Sequence, residues 1–125
     1  MPKVSKETTE NIVEFPIAVD RSSDLDDYTV NFVTIKETHS MAPLLASLPG
    51  GHCSCPHWGV VTAGRLTVHY ADRDDDVVEA GDAFYMSPGH VPEVEAGTEF
   101  VIFSPAEQLA ATDAAILAAL QTAPT

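Results

Sequence analysis

The chain has 125 residues and a formal net charge of −13, and 45% of its residues are hydrophobic. Its length is that of one domain with its own core, and its composition excludes a disordered polar chain. Because an acidic surface repels phosphate groups, we expect neither nucleic acid nor an anionic membrane as a partner. No apolar run could span a bilayer, no apolar signal core begins the chain, and two cysteines form no disulfide framework, so a cytoplasmic protein is expected.

The distribution of apolar residues divides the chain into three parts. Residues 1–27 are acidic with few bulky apolar side chains, which indicates an irregular arm with at most one short strand before Pro16. Residues 28–104 are rich in β-branched and aromatic residues between turn-forming dipeptides, which predicts an all-β sandwich or barrel. The predicted strands lie at 28–36 and near 43–47, 53–62, 65–71, 77–79, 83–87, 91–95 and 99–103.

Residues 105–121 are predicted to form one C-terminal α-helix. Ser104 is the candidate N-cap, Pro105 the first helical residue and Glu107 the partner in a capping box. Asp113 lies on or near an apolar stripe at helical spacing and weakens it; the stripe consists of Leu109, Ile116, Leu117 and Leu120. The helix could cover an open sheet edge or barrel mouth, or it could pack on an outer face.

A C-x-C-x-H sequence is the first candidate for a chemical site. If Ala63-Gly64 is a two-residue hairpin turn, His57 lies opposite Tyr70 on the apolar face, and Cys53 and Cys55 share that face. Residues two apart on a strand are about 6–7 Å apart, so such side chains can converge on one metal ion. Zinc is the default for mixed sulfur and nitrogen ligands, with iron, copper or nickel as alternatives. The competing interpretation is two buried, inert cysteines and a core histidine.

Two stretches resemble the sequence motifs of the cupin superfamily. The stretch GDAFYMSPGHVP, residues 81–92, is similar to the second cupin motif, and VVTAGRLTV, residues 60–68, is similar to the glycine turn of the first. The resemblance covers residues from about 42 to 104. It implies a cupin-type double-stranded β-helix, or jelly-roll barrel, that is often dimeric and holds a metal inside. The family's usual ligands are two histidines and a glutamate from the first motif and a histidine from the second.

The family's ligand positions are only partly kept in this chain. The usual glutamate position falls on His57, the second histidine position on Cys53 and the first on Gly51. The usual histidine of the second motif falls on Pro92, and His90 lies two residues earlier with the same inward parity. The resemblance therefore implies a rebuilt divalent-metal site with the candidate ligands Cys53, Cys55, His57 and His90.

These observations predict a small metal-binding cupin, expected to be a homodimer, that binds or acts on a small molecule in its cavity. Tyr70 and Tyr85 are the candidate residues of the substrate pocket. The alternative is a non-catalytic module, either with a structural metal or as a small-ligand sensor or accessory dimer. The position of Cys55 separates these, because four protein ligands close a structural zinc site whereas three leave a position open.

Overall fold

The computed structural model describes residues 2–122, with side chains as far as residue 118. Ten strands form two antiparallel sheets, in the orders β1-β2-β3-β10-β5-β8 and β4-β9-β6-β7. The strands are β1 (Asn11–Glu14), β2 (Ala18–Leu25), β3 (Tyr28–Ile35), β4 (His39–Ser40), β5 (His57–Ala63), β6 (Arg65–Tyr70), β7 (Asp76–Glu79), β8 (Ala83–Met86), β9 (His90–Val94) and β10 (Glu99–Pro105). Two α-helices, α1 (Ala42–Leu45) and α2 (Ala106–Thr122), and a 3-10 turn at Pro49–Gly51 complete the chain.

The predicted all-β jelly roll with a C-terminal helix is confirmed, except that the described strands do not close into a barrel. The main core is apolar and draws on both sheets, as expected for two packed β-layers. Its buried members are Ile35, Val61, Leu66, Val68, Val78, Met86 and Val94. None of the described helices is both long enough and apolar enough to cross a membrane.

The N-terminal arm contributes more to the sheet than its composition predicts. Besides the short strand β1, it contains β2, which pairs along its whole length with β3. The composition conceals β2 because alternate positions on it are Ala18, Asp20 and Ser22 rather than bulky apolar residues. The strand predicted near 43–47 is instead helix α1, since a short apolar run of this kind suits a buried helical turn equally well.

The predicted hairpin at Ala63-Gly64 does not form, because β5 and β6 belong to different sheets. Gly64 has a φ of +77°, and an added Cβ would lie 2.7 Å from the Cα of Thr98. The Thr98 hydroxyl accepts a hydrogen bond from the Arg65 amide and donates one to the Arg65 carbonyl. The chain passes from the six-stranded sheet to the four-stranded sheet at Gly64, and the contact with Thr98 lies at this crossing.

The inward residues predicted from the hairpin are nevertheless the buried ones. His57 and Val61 on β5, and Leu66 and Val68 on β6, all lie in the interior. The reason is that side chains alternate along each strand, and both sheets turn one face toward the same interior. The inward-facing side chains are therefore those that were predicted, although β5 and β6 do not pair with each other.

Helix α2 begins one residue later than predicted and forms a wall of the interior. Ser104 and Pro105 are the last residues of β10, so Ser104 is not an N-cap. Leu109 and Ile116 pack against a second apolar cluster that contains Leu45 and both cysteines. The helix thus covers the opening of the interior, which is the first of the two predicted arrangements. The side chain of Leu120, the last residue of the predicted stripe, lies outside the described residues.

Gly64→Ala is expected to destabilise the protein more than Gly97→Ala. Both glycines have positive φ, which costs an alanine about 1–2 kcal/mol, but a Cβ at Gly97 meets no atom within 4 Å. The clash with Thr98 adds about 1–3 kcal/mol at Gly64 alone. Urea unfolding of both variants measures the difference, and equal losses would contradict the proposed role of this contact.

Candidate metal centre

Three of the four predicted ligands come together in the interior. The Sγ atom of Cys53 and one ring nitrogen each of His57 and His90 lie within 4.8 Å of one another, and all three residues are buried. Cys53 Sγ is 3.9 Å from His57 Nε2, and the two imidazole centroids are 4.9 Å apart. No other group of three such donors is found among the described residues.

The three side chains converge because their backbones are tied together across the two sheets. His57 is the first residue of β5 in the six-stranded sheet, and His90 is the first residue of β9 in the four-stranded sheet. Cys53, in the loop before β5, forms an isolated antiparallel bridge with His90. The Cys53 amide donates to the His90 carbonyl over 3.0 Å, and the Gly89 amide donates to the Cys53 carbonyl over 2.8 Å.

Each imidazole is oriented by a hydrogen bond at its other nitrogen. His90 Nδ1 is 2.7 Å from the carbonyl oxygen of Ser87, which can only accept, so Nδ1 carries the proton. His90 Nε2 is therefore a lone-pair acceptor, and it is buried without a hydrogen-bond partner. His57 Nδ1 is 2.6 Å from the Ser104 hydroxyl, while its Nε2 lies toward Cys53. Such second partners are typical of metal-binding histidines.

Burial keeps the three donor groups neutral in the absence of a cation. It lowers the pKa of His57 to about 3, with a further contribution from His90, and it also lowers the pKa of His90. It raises the pKa of the Cys53 thiol. Neutral imidazoles are the form that binds metal, and a divalent cation would convert the thiol to the thiolate. The orphaned His90 nitrogen and this donor set therefore fit a borderline-soft divalent metal.

Cys55 is not part of this cluster. It is buried in the second apolar cluster, beside Leu45 and Leu109, and its thiol lies 3.7 Å from the carbonyl oxygen of Pro56. Burial, followed by electrostatic interactions with Cys53 and Asp113, raises its pKa to about 12. The structure therefore brings together the sulfur of Cys53 and the two imidazoles but not the sulfur of Cys55.

Tyr70 and Tyr85 do not line the cavity that contains the cluster. Tyr85 lies on the outer face of its sheet, about half exposed, and stacks on Trp58 with ring centroids 5.0 Å apart. Its neighbours along β8, Phe84 and Met86, are the residues that pack in the core, as alternation on the strand requires. Tyr70 packs against the core and lines a separate, more open pocket, with the guanidinium of Arg73 3.7 Å above its ring.

The cavity has a volume of about 330 Å³ and walls made largely of carbon. Cys53, His57 and His90 line it, and residues from β2, β3, α1 and α2 form other parts of its wall. Its other titratable residues among those described are His39, Asp20 and Asp113.

Asp20 and Asp113 are the cavity residues that sequence reasoning missed. Asp113 keeps contact with solvent, yet burial at the cavity wall and the negative charge of Asp20 raise its pKa to about 6. Burial also raises the pKa of Asp20, although a hydrogen bond from Asn31 opposes this change. The interruption of the apolar helix stripe by Asp113 was the available signal in the sequence.

Comparison with solved structures identifies the fold. The chain is similar to a Rhizobium leguminosarum protein of unknown function, with 18% identity and a TM-score of 0.62 over 83% of this chain and 95% of that one. It is similar to the polyketide cyclase RemF of Streptomyces resistomycificus, with 17% identity and a TM-score of 0.59 over 85% and 80%. It is also similar to an oxalate decarboxylase of Bacillus subtilis, with 16% identity and a TM-score of 0.59 over 82% of this chain.

The chain spans only 28% of the length of that oxalate decarboxylase. No protein-family model and no curated protein matches the sequence. This likeness shows the fold: the chain has the cupin fold that the two sequence motifs predicted.

Asp113→Asn is expected to stabilise the protein increasingly as the pH rises from 5 to 8. The ordinary pKa of an aspartate is 3.8, and in the folded state that of Asp113 is about 6. The folded protein therefore binds this proton more tightly than the unfolded chain, and ionisation of Asp113 costs stability as the pH rises through this window. Asparagine removes that cost, so its advantage should already be present at pH 5, grow as the pH rises and level off above about pH 7.

Thermal unfolding of the wild type and the variant across this pH range measures the effect. Glu107→Gln is the matched control, because Glu107 is an exposed carboxylate on the same helix. A constant difference between wild type and Asp113→Asn at every pH would contradict the raised pKa.

Proposed function

We propose that this cupin-fold protein binds a divalent transition metal through Cys53, His57 and His90 and binds or transforms a small molecule in the adjoining cavity. The observation that carries the proposal is the buried, unpartnered Nε2 of His90 beside the sulfur of Cys53 and the second imidazole. A buried acceptor without a partner is destabilising, and a cation bound by all three donors would satisfy it. All three residues also line the cavity.

The donor chemistry favours zinc, which is commonly held by cysteine and histidine; iron, nickel and copper are the alternatives. Such a metal, when bound, supplies a Lewis acid that polarises a carbonyl or activates water. The chain itself contributes orientation: Ser104 and the Ser87 carbonyl hold the imidazoles with Nε2 directed at the site. Asp113 contributes a carboxyl group in the same cavity that can exchange a proton near neutral pH.

The place of Cys55 favours a reactive or ligand-binding centre over a structural zinc site. Structural sites are closed by four protein ligands, whereas sites with three keep a position for water or substrate. Since the Cys55 thiol is directed at a backbone carbonyl, three ligands remain, and they line a cavity large enough for a small molecule. The shared fold with a polyketide cyclase and an oxalate decarboxylase supports a small-molecule enzyme. A non-catalytic small-ligand sensor would use the same open position without turnover.

We also propose that the protein forms a homodimer. The two chains would associate through the outer face of the six-stranded sheet. Trp58 and Tyr85 stack there in solvent, and Tyr28 meets Trp58 edge-on with centroids 6.2 Å apart. Val60 and Phe103 are exposed apolar residues of the same sheet. Burying these aromatic side chains would supply the stabilisation that offsets repulsion between two acidic chains.

Cys53→Ser and His57→Ala are expected to abolish metal retention, whereas Cys55→Ser should retain one metal ion per chain. The reason is that only the first two changes remove a donor atom of the cluster, although Cys53 and Cys55 are equally buried. Elemental analysis of proteins purified without added metal provides the measurement. Stoichiometric metal in all three variants would contradict the proposed ligands, and loss in Cys55→Ser would instead indicate a closed site.

Chelation of the wild type is expected to lower its unfolding temperature. A metal held at 100 times its dissociation constant stabilises the folded state by about 2.7 kcal/mol, which for a domain of this size is on the order of 10 °C. The Cys53→Ser variant is the control, since its unfolding temperature should not respond to chelator. An unchanged wild-type transition would count against a bound ion.

Trp58→Ser is expected to shift the protein from dimer to monomer, because it removes the largest apolar surface from the proposed interface. Sedimentation velocity over a concentration series measures the shift. Val77→Ser is the matched control: Val77 is also exposed but lies on β7 in the other sheet. A wild-type protein that stays monomeric, or a dimer unaffected by the Trp58 change, would contradict this interface.

A further inference from the structure

The cavity wall holds a group of polar side chains that are not metal ligands, with Asn31 and Asp20 on strands away from those ligands. Asn31 on β3 is only 4% exposed, and its Nδ2 donates a 2.8 Å hydrogen bond to Oδ1 of Asp20 on β2. This bond fixes the orientation of the amide, and its other atom, Asn31 Oδ1, is buried without a partner. Asp113 on α2 lines the same cavity and lies close enough to Asp20 for their charges to interact.

The chemistry of this group is uniform, because it offers hydrogen-bond acceptors to the cavity. The amide oxygen of Asn31 has no donor, and the carboxylates of Asp20 and Asp113 accept when ionised. Among the described residues that line the cavity there is no lysine or arginine to neutralise an anionic ligand. A carboxylate or phosphate in this part of the cavity would meet like charge, whereas a hydroxyl or amino group would find partners.

The separation of this group from the metal centre sets the size of a bridging molecule. Asn31 pairs with Ile102 on β10, and Ile102 pairs with Gly59 on β5, two residues from His57. Neighbouring strands are about 4.8 Å apart and two residues add about 7 Å along a strand, so the backbones of Asn31 and His57 are roughly 12 Å apart. Ile102 lies between them, and Val33 and Phe100 continue the apolar lining on the far side of the amide.

We propose that the cavity selects an apolar, non-anionic molecule about two fused rings long, whose hydroxyl or amino group is held by Asn31, Asp20 and Asp113. The acceptors orient one end of the molecule, and the apolar walls bind its body. Contact between the other end of the molecule and the metal rests on the proposed function. Recognition of the hydroxyl or amino group by the three acceptors is independent of it. The proposal excludes small dicarboxylates and phosphate esters as ligands.

The test is a series of probes with one ring system and different substituents: 2-naphthol, 2-naphthylamine, naphthalene and 2-naphthoate. Calorimetric titrations at pH 7.5 are made on the metal-free and the zinc-loaded protein. 2-Naphthol, 2-naphthylamine or both should bind about tenfold more tightly than naphthalene, because one satisfied buried acceptor accounts for about that factor. 2-Naphthoate should bind more weakly than naphthalene to the metal-free protein, because its charge faces two carboxylates.

Two variants test the assignment of the acceptors. Asn31→Leu should weaken the preference for 2-naphthol over naphthalene, because one of the three acceptors is lost, while leaving naphthalene affinity unchanged or higher. The double variant Asp20→Asn/Asp113→Asn should bind 2-naphthoate at least about tenfold more tightly than the wild type, a gain that a misfolded protein would not show. Asp24→Asn is the matched control, because Asp24 is an exposed carboxylate on the same strand, bonded to Thr29.

The inference is overturned if 2-naphthoate binds the metal-free wild type as tightly as 2-naphthol, if Asn31→Leu leaves the preference for 2-naphthol undiminished, or if no probe binds. The metal content of the same samples is measured as well, so that failure of this inference can be distinguished from failure of the proposed function. Selective binding by a protein that retains no metal would overturn the metal proposal alone. Stoichiometric metal without selectivity would overturn the present inference alone.

Discussion

The antiparallel bridge between Cys53 and His90 is the contact on which the candidate metal centre depends. Its two hydrogen bonds, of 3.0 and 2.8 Å, fasten the loop before β5 to the start of β9. Since β5 and β9 belong to different sheets, this bridge brings a thiol and two imidazoles from separate parts of the chain to one place. Without it, the loop would have no backbone hydrogen bonds to the opposite sheet at this point, and the Cys53 thiol would not be held beside the two imidazoles.

The interior that the bridge helps to define is chemically divided. At one end are neutral nitrogen and sulfur donors, which burial keeps uncharged until a cation is present. Elsewhere on the wall are the amide of Asn31 and the carboxyl groups of Asp20 and Asp113. Much of the remaining cavity wall is apolar. Such an arrangement suits a molecule with one polar end and a hydrophobic body, and it places a titratable carboxyl group within the same cavity as the metal ligands.

Several features of the site followed from local patterns in the sequence. Alternation along β5 and β6 predicted that His57, Val61 and Leu66 face inward, and the cupin resemblance, which places a ligand position at Pro92, implied that His90 does so too. The predictions on β5 and β6 needed only the two-residue period of a strand and the turn residues that interrupt it. They held even where the assumed pairing was absent, because the direction of a side chain is set by its own strand and not by its neighbour.

The sequence by itself determined the β-rich class, the C-terminal helix, the cupin resemblance and, with that resemblance, the inward direction of His57 and His90. Only the tertiary structure decided that the thiol of Cys55 is directed elsewhere, since residues 53–56 do not form a regular strand and parity does not apply across them. It also decided that Ser104 orients His57 instead of capping α2, and that Asp20, Asn31 and Asp113 meet at one wall. These contacts join residues more than ten positions apart, whose proximity depends on how sheets and helix pack and leaves no periodic trace in the sequence.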